Sequence, residues 1–486
     1  MKNSSSTCDG AAAGRDEGGA PMKKPTWALS GALVAALAGY GALDAYDVVP
    51  GVLTLAPTNT PKAVTVEGKT YEPLQKAASA PLPSASVGAA PSANEVKKSV
   101  EASLKNPWFG SPTAVTVRDA STGTVLYEHD SSKATTPASV TKLASAFAIA
   151  HSELDLDKGL TTRATLEGST VELVAGGDMT LAEGAGDATK VAGRAGLGDL
   201  AAQSAAALKK QGITKVTVDT NTSYAPGPNK AKGWEDALFD YGFTARITTL
   251  ALASERADNR TPAVADPTKD AAQAFVKELG KRGITATYGK NVTTPVAGQQ
   301  LGSVTSAPVL DLLGLALQDS DNSMVESLAR QAAALDGVHG DSAAAGTWVT
   351  SVLKREGVDV SGVKLVDTSG LSSGTTLPVR VLGDVLTRAS TGKDATYARV
   401  IERLPVSAWN GTLHDRYMRA ESQDGAGLVR AKTGSLPDAS SLAGLATTKN
   451  GHPLVFAVTT NGTFSDGAIG AKTAVDHLVA ELTKLP

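Results

Sequence analysis

The chain has 486 residues, 42% of them hydrophobic and 20% charged, with a net charge of −3. That describes a globular body with room for roughly two to four domains, and gives no reason to expect nucleic acid as a partner. The one cysteine, Cys8, excludes a disulfide framework, and the six histidines show no His-x-His or His-Glu-x-x-His spacing, so no metal or other cofactor is expected.

Residues 1–24 are rich in Gly, Ala, Ser and charge and read as a disordered cytoplasmic tail. Between Lys24 and Asp44 lie 19 uncharged residues, about the length of a membrane-spanning helix. Lys23 and Lys24 precede this segment while Asp44 and Asp47 follow it, which puts the body outside. Segment 25–46 is a retained anchor if translation starts at Met1; a start at Met22 would make it a signal peptide open to cleavage. Residues 47–94, with many Pro, Ala and Ser, read as a linker. A helix is expected over 95–105, then strands at 114–118 and 125–129 joined by Ser121-Thr122-Gly123.

The stretch Thr136-Pro137-Ala138-Ser139-Val140-Thr141-Lys142 then opens an apolar helix, with Thr136 placed to cap it and Pro137 at its first position. Ser139 and Lys142 share a helical face. Burial that lowers the lysine pKa would make it a base for the serine, and the helix N-terminus favours the anion that forms. The same Ser-x-x-Lys spacing recurs at Ser351, Ser361 and Ser390. Only Ser139 is followed, in order, by Ser320-Asp321-Asn322 and Lys432-Thr433-Gly434.

Between these motifs, residues 158–305 read as an inserted α/β module standing away from the catalytic cleft. It starts with a hairpin, 162–166 and 171–175, leading into the turn Gly176-Gly177-Asp178. Leu208 to Ile213 and Leu279 to Ile284 each repeat a helix, a glycine stop and a strand, and Leu353 to Val358 is a third copy. Trp234 and Tyr241 read as core aromatics of the insertion, and Glu326 as a support for the helix after Ser320.

From about residue 95 onward the chain resembles the D-alanyl-D-alanine carboxypeptidase/endopeptidase family, the class C low-molecular-mass penicillin-binding proteins. The matching pieces include Pro137 to Lys142, Leu173 to Asp178, Gly233-Trp234, Ser320 to Asn322, Asp367 to Ser372, Gly411 to Leu413 and Ala431 to Leu436. The resemblance implies an α/β (α+β) fold. Residues 95–157 and 306–486 would form a serine β-lactamase/penicillin-binding transpeptidase-like catalytic domain, its antiparallel sheet flanked by helices.

It also implies roles. Ser139 attacks the penultimate D-Ala carbonyl of a peptidoglycan stem peptide, Lys142 is the base, and Ser320 relays a proton to the leaving amine. Lys432 meets the substrate carboxylate and lowers the Lys142 pKa by repulsion. Asn322, Thr433, Gly434 and Ser435 bind substrate, with the Ser139 and Ser435 amides as the oxyanion hole. β-Lactams would acylate the same serine. Pro437 stands where many relatives carry a hydroxyl, so Ser435 would bear more of the carboxylate contact. A serine β-lactamase is the alternative, but no Glu-x-x-Leu-Asn segment lies between the first two motifs and no Tyr-x-Asn replaces Ser320-x-Asn322. A non-catalytic wall sensor would not need all three motifs.

Overall fold

The structure, a computed structural model, describes residues 64–66, 69–71, 88–257 and 261–486. The chain divides into two units, residues 1–84 and 85–486. In the first, β1 (Val64–Val66) and β2 (Lys69–Tyr71) pair antiparallel. Cys8, the tail and segment 25–46 lie outside the described residues.

The second unit opens with α1 (Ala93–Ser103). It starts two residues before the expected position because Ser92 caps it. The Ser92 hydroxyl accepts from the Glu95 N–H while the Glu95 carboxylate accepts from the Ser92 N–H, a reciprocal capping box.

Two five-stranded sheets follow. The strands in chain order are β3 (Thr113–Asp119), β4 (Val125–His129), β5 (Gly159–Glu167), β6 (Thr170–Val174), β7 (Lys215–Asn221) and β8 (Thr285–Val292). After them come β9 (Gln299–Pro308), β10 (Val429–Leu436), β11 (Ala439–Thr447) and β12 (Pro453–Asn461).

The first sheet runs β10-β11-β12-β3-β4, antiparallel throughout. Its residues alternate between two cores. Leu454, Phe456 and Val458 of β12 join Val96 and Val100 of α1 in one core, and Val455 and Ala457 enter the other with Leu143 and Phe147. Leu143 and Phe147 belong to α2 (Thr141–Ala150), whose residues Thr141 to Ile149 are all buried.

The second sheet, β8-β7-β6-β5-β9, draws on residues 159–308 and has its own core, including Leu173, Val218 and Phe275. The expected 162–166/171–175 hairpin is β5 and β6. Parallel β6, β7 and β8 are linked through α3 (Leu197–Lys210) and α4 (Pro267–Gly280). Gly212 and Gly283 end these helices at φ +73 and +77°, where a side chain would be strained. The Ile213 and Ile284 N–H groups then bond back to Leu208 and Leu279. The first two copies of the repeat are thus successive strand–helix units. In the third, Val358 bonds back to Leu353 but no strand follows.

The longer helices after the second sheet are α5 (Val309–Gln318), α6 (Asn322–Leu335), α7 (Ser342–Arg355), α8 (Val379–Ser390) and α9 (Gly467–Thr483). Among the described residues no helix is long and apolar enough to cross a membrane.

Candidate active site

The nucleophile stretch departs from the expected capped helix. Ala138–Val140 form one 3-10 turn before α2, and Thr136 makes no side-chain cap. Its backbone is pinned from β12 instead: Asn461 accepts from the Thr136 N–H at 2.8 Å and donates to its carbonyl at 2.9 Å. Ala138 sits at φ +51°, a conformation the turn imposes on a non-glycine residue.

Ser139 and Lys142 meet as expected, with Lys142 Nζ donating to Ser139 Oγ at 2.9 Å. The other bonds of Nζ run to Asn322 Oδ1 at 2.5 Å and the Ser369 carbonyl at 2.9 Å. Ser320 follows α5 at φ +58°. Its hydroxyl accepts from Lys432 Nζ at 2.8 Å, and the same ammonium donates to the Thr433 carbonyl at 2.9 Å. All three motifs therefore converge on one place. The other Ser-x-x-Lys serines do not: Ser351, Ser361 and Ser390 each spend their hydroxyl on an oxygen within three residues.

Gly434 is a requirement of close approach. A Cβ there would lie 2.2 Å from Ser441 Oγ, 2.8 Å from the Pro137 carbonyl and 3.0 Å from the Ser139 nitrogen. Ser441 Oγ donates to that same Pro137 carbonyl at 2.6 Å, so β10 and β11 together hold the nucleophile turn.

Burial pushes Lys142 down to about 8, against the pull of Asp367, Glu326 and Asp321. At pH 7 such a lysine is neutral in about a tenth of molecules, and that fraction can accept a proton. Lys432 is driven well below the ordinary lysine value, by burial and then by Lys142. The two buried lysines repel each other, which disfavours charging both at once.

The Asn322 amide is partly engaged: Oδ1 accepts from Lys142 and Nδ2 donates one N–H to the Phe243 carbonyl at 2.8 Å. Lys432 is fully buried behind Ser320 and Thr433, and the cations that line the cleft are Arg256, Arg416 and Lys472.

The insertion, lastly, does not stand apart. The cleft of about 420 Å³ is lined by Ser139, Ser320, Asn322, Thr433 and Ser435, but also by Phe243 and Arg256. Arg256 bonds Asp319 at 2.9 Å and Asp321 at 3.1 Å, clamping both neighbours of Ser320. Trp234, buried as expected, donates its indole N–H to Asp367 at 3.0 Å. Tyr241 is 72% exposed and so is no core aromatic.

Sequence reasoning missed Arg256, Phe243, Thr412, Arg416 and Lys472. Only Thr412 carried a signal, inside Gly411-Thr412-Leu413; its hydroxyl accepts from Thr433 Oγ1 at 2.9 Å. Arg416 is paired with Asp476, and nothing local announces a partner 60 positions away.

A buried lysine against a serine, with a second serine–lysine pair beside it and an antiparallel sheet behind, defines the penicillin-recognising class of serine enzymes. The family model for D-Ala-D-Ala carboxypeptidase 3 (S13) matches residues 96–261 and 253–484. Carboxypeptidase DacB of Mycolicibacterium smegmatis is 34% identical over 401 residues, 81% of this chain and 84% of that one. A carboxypeptidase of Mycobacterium tuberculosis is 33% identical over 416 residues, 82% and 86% of the two chains. The crystal structure of penicillin-binding protein 4 from Haemophilus influenzae superposes with a TM-score of 0.65 at 20% identity, covering 79% of this chain and 99% of that one. The chain belongs to the D-Ala-D-Ala carboxypeptidase 3 (S13) family, and is a serine-type D-Ala-D-Ala carboxypeptidase.

Proposed function

We propose that Ser139 is the acylated nucleophile of this carboxypeptidase and Lys142 its base. The observation that carries the reading is the 2.9 Å contact between a fully buried lysine amine and Ser139 Oγ. In the neutral fraction Lys142 accepts the serine proton as Oγ attacks the carbonyl between the two D-Ala residues. The charge then developing on that oxygen falls to the Ser139 and Ser435 amides, a contribution of about 3 kcal/mol or more per donor in such sites. Collapse of the intermediate expels the terminal D-Ala amine, which takes through Ser320 the proton that Lys142 removed from Ser139, so Lys142 is neutral again when water attacks. Water then releases the shortened peptide and frees Ser139.

Asn322 keeps one N–H beyond the Phe243 contact, and that donor suits a substrate carbonyl. The hydroxyls of Thr433 and Ser435 face the cleft where a terminal carboxylate would lie, with the charge of Arg416 nearby. The body works outside the cytoplasm, where the wall is, held to the membrane through segment 25–46. Residues 158–305 are an inserted domain that completes the cleft rather than one that stands aside from it.

The test is a synthetic stem pentapeptide ending in D-Ala-D-Ala, followed by intact-mass analysis of the enzyme after a penicillin chase. Free D-Ala should appear with wild type and not with Ser139→Ala, and the penicillin adduct should last minutes. An opened β-lactam ring keeps its amine tethered where water must approach, while D-Ala departs. Adduct loss within seconds without D-Ala release would make the protein a β-lactamase.

A further inference from the structure

Four arginines are buried among the described residues: Arg118, Arg256, Arg330 and Arg416. Three have carboxylate partners: Asp384 for Arg118, Asp319 and Asp321 for Arg256, and Asp476 for Arg416. Arg330, on α6 and only 4% exposed, has none. Its one hydrogen bond runs to the Pro228 carbonyl at 2.8 Å, and its Nε is buried without a partner. Glu326 and Asp341 attract it only from beyond ion-pair distance, and burial holds its pKa down. A buried cation with no carboxylate in ion-pair contact is costly, so an arrangement of this kind calls for an anion.

The same arginine lines a second cavity of about 290 Å³, between α6 and the insertion. The opposite walls come from segments 222–229, 247–249 and 291–293 and from the start of α4. They carry uncommitted donors: the Asn229 amide and the Thr249 and Thr293 hydroxyls make no hydrogen bond among the described residues. The cavity's own carboxylate, Asp266, caps α4 by accepting from the Lys269 N–H at 3.1 Å. Gly227 has room for no side chain, since a Cβ would lie 2.8 Å from both Cζ and Nη1 of Arg330. The loop backbone therefore rests on one edge of the guanidinium and leaves it to face the cavity. Such a fork matches the geometry of a carboxylate or phosphate.

We propose that this cavity is a second ligand site, for a small oxyanion held by Arg330 with Asn229, Thr249 and Thr293. A wall offers two sources of that chemistry, free carboxylates and phosphate groups. Arg330 lies eight residues after Asn322 on the same helix, about 12 Å along its axis at 1.5 Å per residue, so the site is separate from the cleft.

Calorimetry on the full chain at constant ionic strength, with inorganic phosphate, acetate and chloride as probes, tests this. Saturable one-site binding of phosphate or acetate beyond chloride is expected, and which of the two binds tells the sources apart. Fluorescent-penicillin labelling of Ser139 must stay unchanged when the anion is present. Arg330→Met should weaken the anion by at least about tenfold, the loss of one charge-assisted contact. Should that variant fail to fold, Asn229→Ala, at an exposed amide with no internal bond, should still weaken it severalfold. No saturable response from either anion, equal binding by Arg330→Met, or competition with penicillin would overturn the proposal.

Discussion

Glu326 reaches Lys142 through a single residue, Ser369. Its Oε1 accepts the Thr368 and Ser369 N–H groups at 2.8 Å each, and the Ser369 carbonyl accepts from Lys142 Nζ at 2.9 Å. The carboxyl is fully buried, with Oε2 unpartnered, and burial followed by Asp367 pushes it up to about 7. When ionised it favours the protonated lysine. Glu326→Gln keeps an oxygen for both N–H groups but removes the charge, so the Lys142 pKa should fall. The acid limb of the acylation–pH profile should move to lower pH, and the rate at pH 7 should rise roughly threefold. An unmoved profile would leave Glu326 as support alone.

Lys142→Arg keeps the charge at the position but cannot give up a proton at working pH. Acylation by fluorescent penicillin should fall by about a thousandfold or more with the melting temperature little changed. Ser139→Ala should abolish labelling, while Ser351→Ala, Ser361→Ala and Ser390→Ala should leave it intact.

Gly434→Ala forces a methyl group against Ser441 Oγ and the Pro137 carbonyl, both of which hold the nucleophile turn. Displacing Ser139 by a fraction of an ångström should cost about a hundredfold in acylation rate. The fold, with the disturbance confined to β10 and the turn it holds, should lose no more than roughly 2 kcal/mol in a denaturant titration.

Asp178 is fully buried in the turn after β6. Oδ1 accepts from the Thr180 N–H and hydroxyl, Oδ2 has no partner, and burial pushes the carboxyl up to about 6 from 3.8. A carboxyl raised on folding binds its proton more tightly in the native state. Stability is then full below about pH 4 and falls as pH climbs through about 6. Asp178→Asn should therefore be more stable than wild type at pH 8, by about 3 kcal/mol, with the difference shrinking towards pH 4. Thermal melts across that range would read it.

Periodicity and turn chemistry made much of the fold legible. The strands over 114–118 and 125–129, the 162–166/171–175 hairpin and the glycine-stopped helices were all local patterns, each written within about a dozen residues. The site was legible as motifs in order, because nucleophile, relay serine and strand lysine each need a fixed residue type. Contacts that cross elements were not legible. Arg256 clamping Asp319 and Asp321, Phe243 occupying the Asn322 amide, and Asn461 pinning Thr136 join residues 63 to 325 positions apart. Tyr241 failed for a related reason: hydrophobicity alone cannot tell a core ring from an exposed one.

The pairing of β3 with β12 sets Val115 against Val458 and so joins the two ends of the described second unit. The second sheet needs nothing beyond residue 308. A chain that emerges from its N-terminus can therefore finish that sheet early, while β3 waits for a partner some 340 positions on. Lys432, Gly434 and Asn461 all arrive in the same late stretch. Ser139 is thus without Lys432, the strand beside it and its anchor until residue 461 has been made, which keeps a partly synthesised molecule chemically inert.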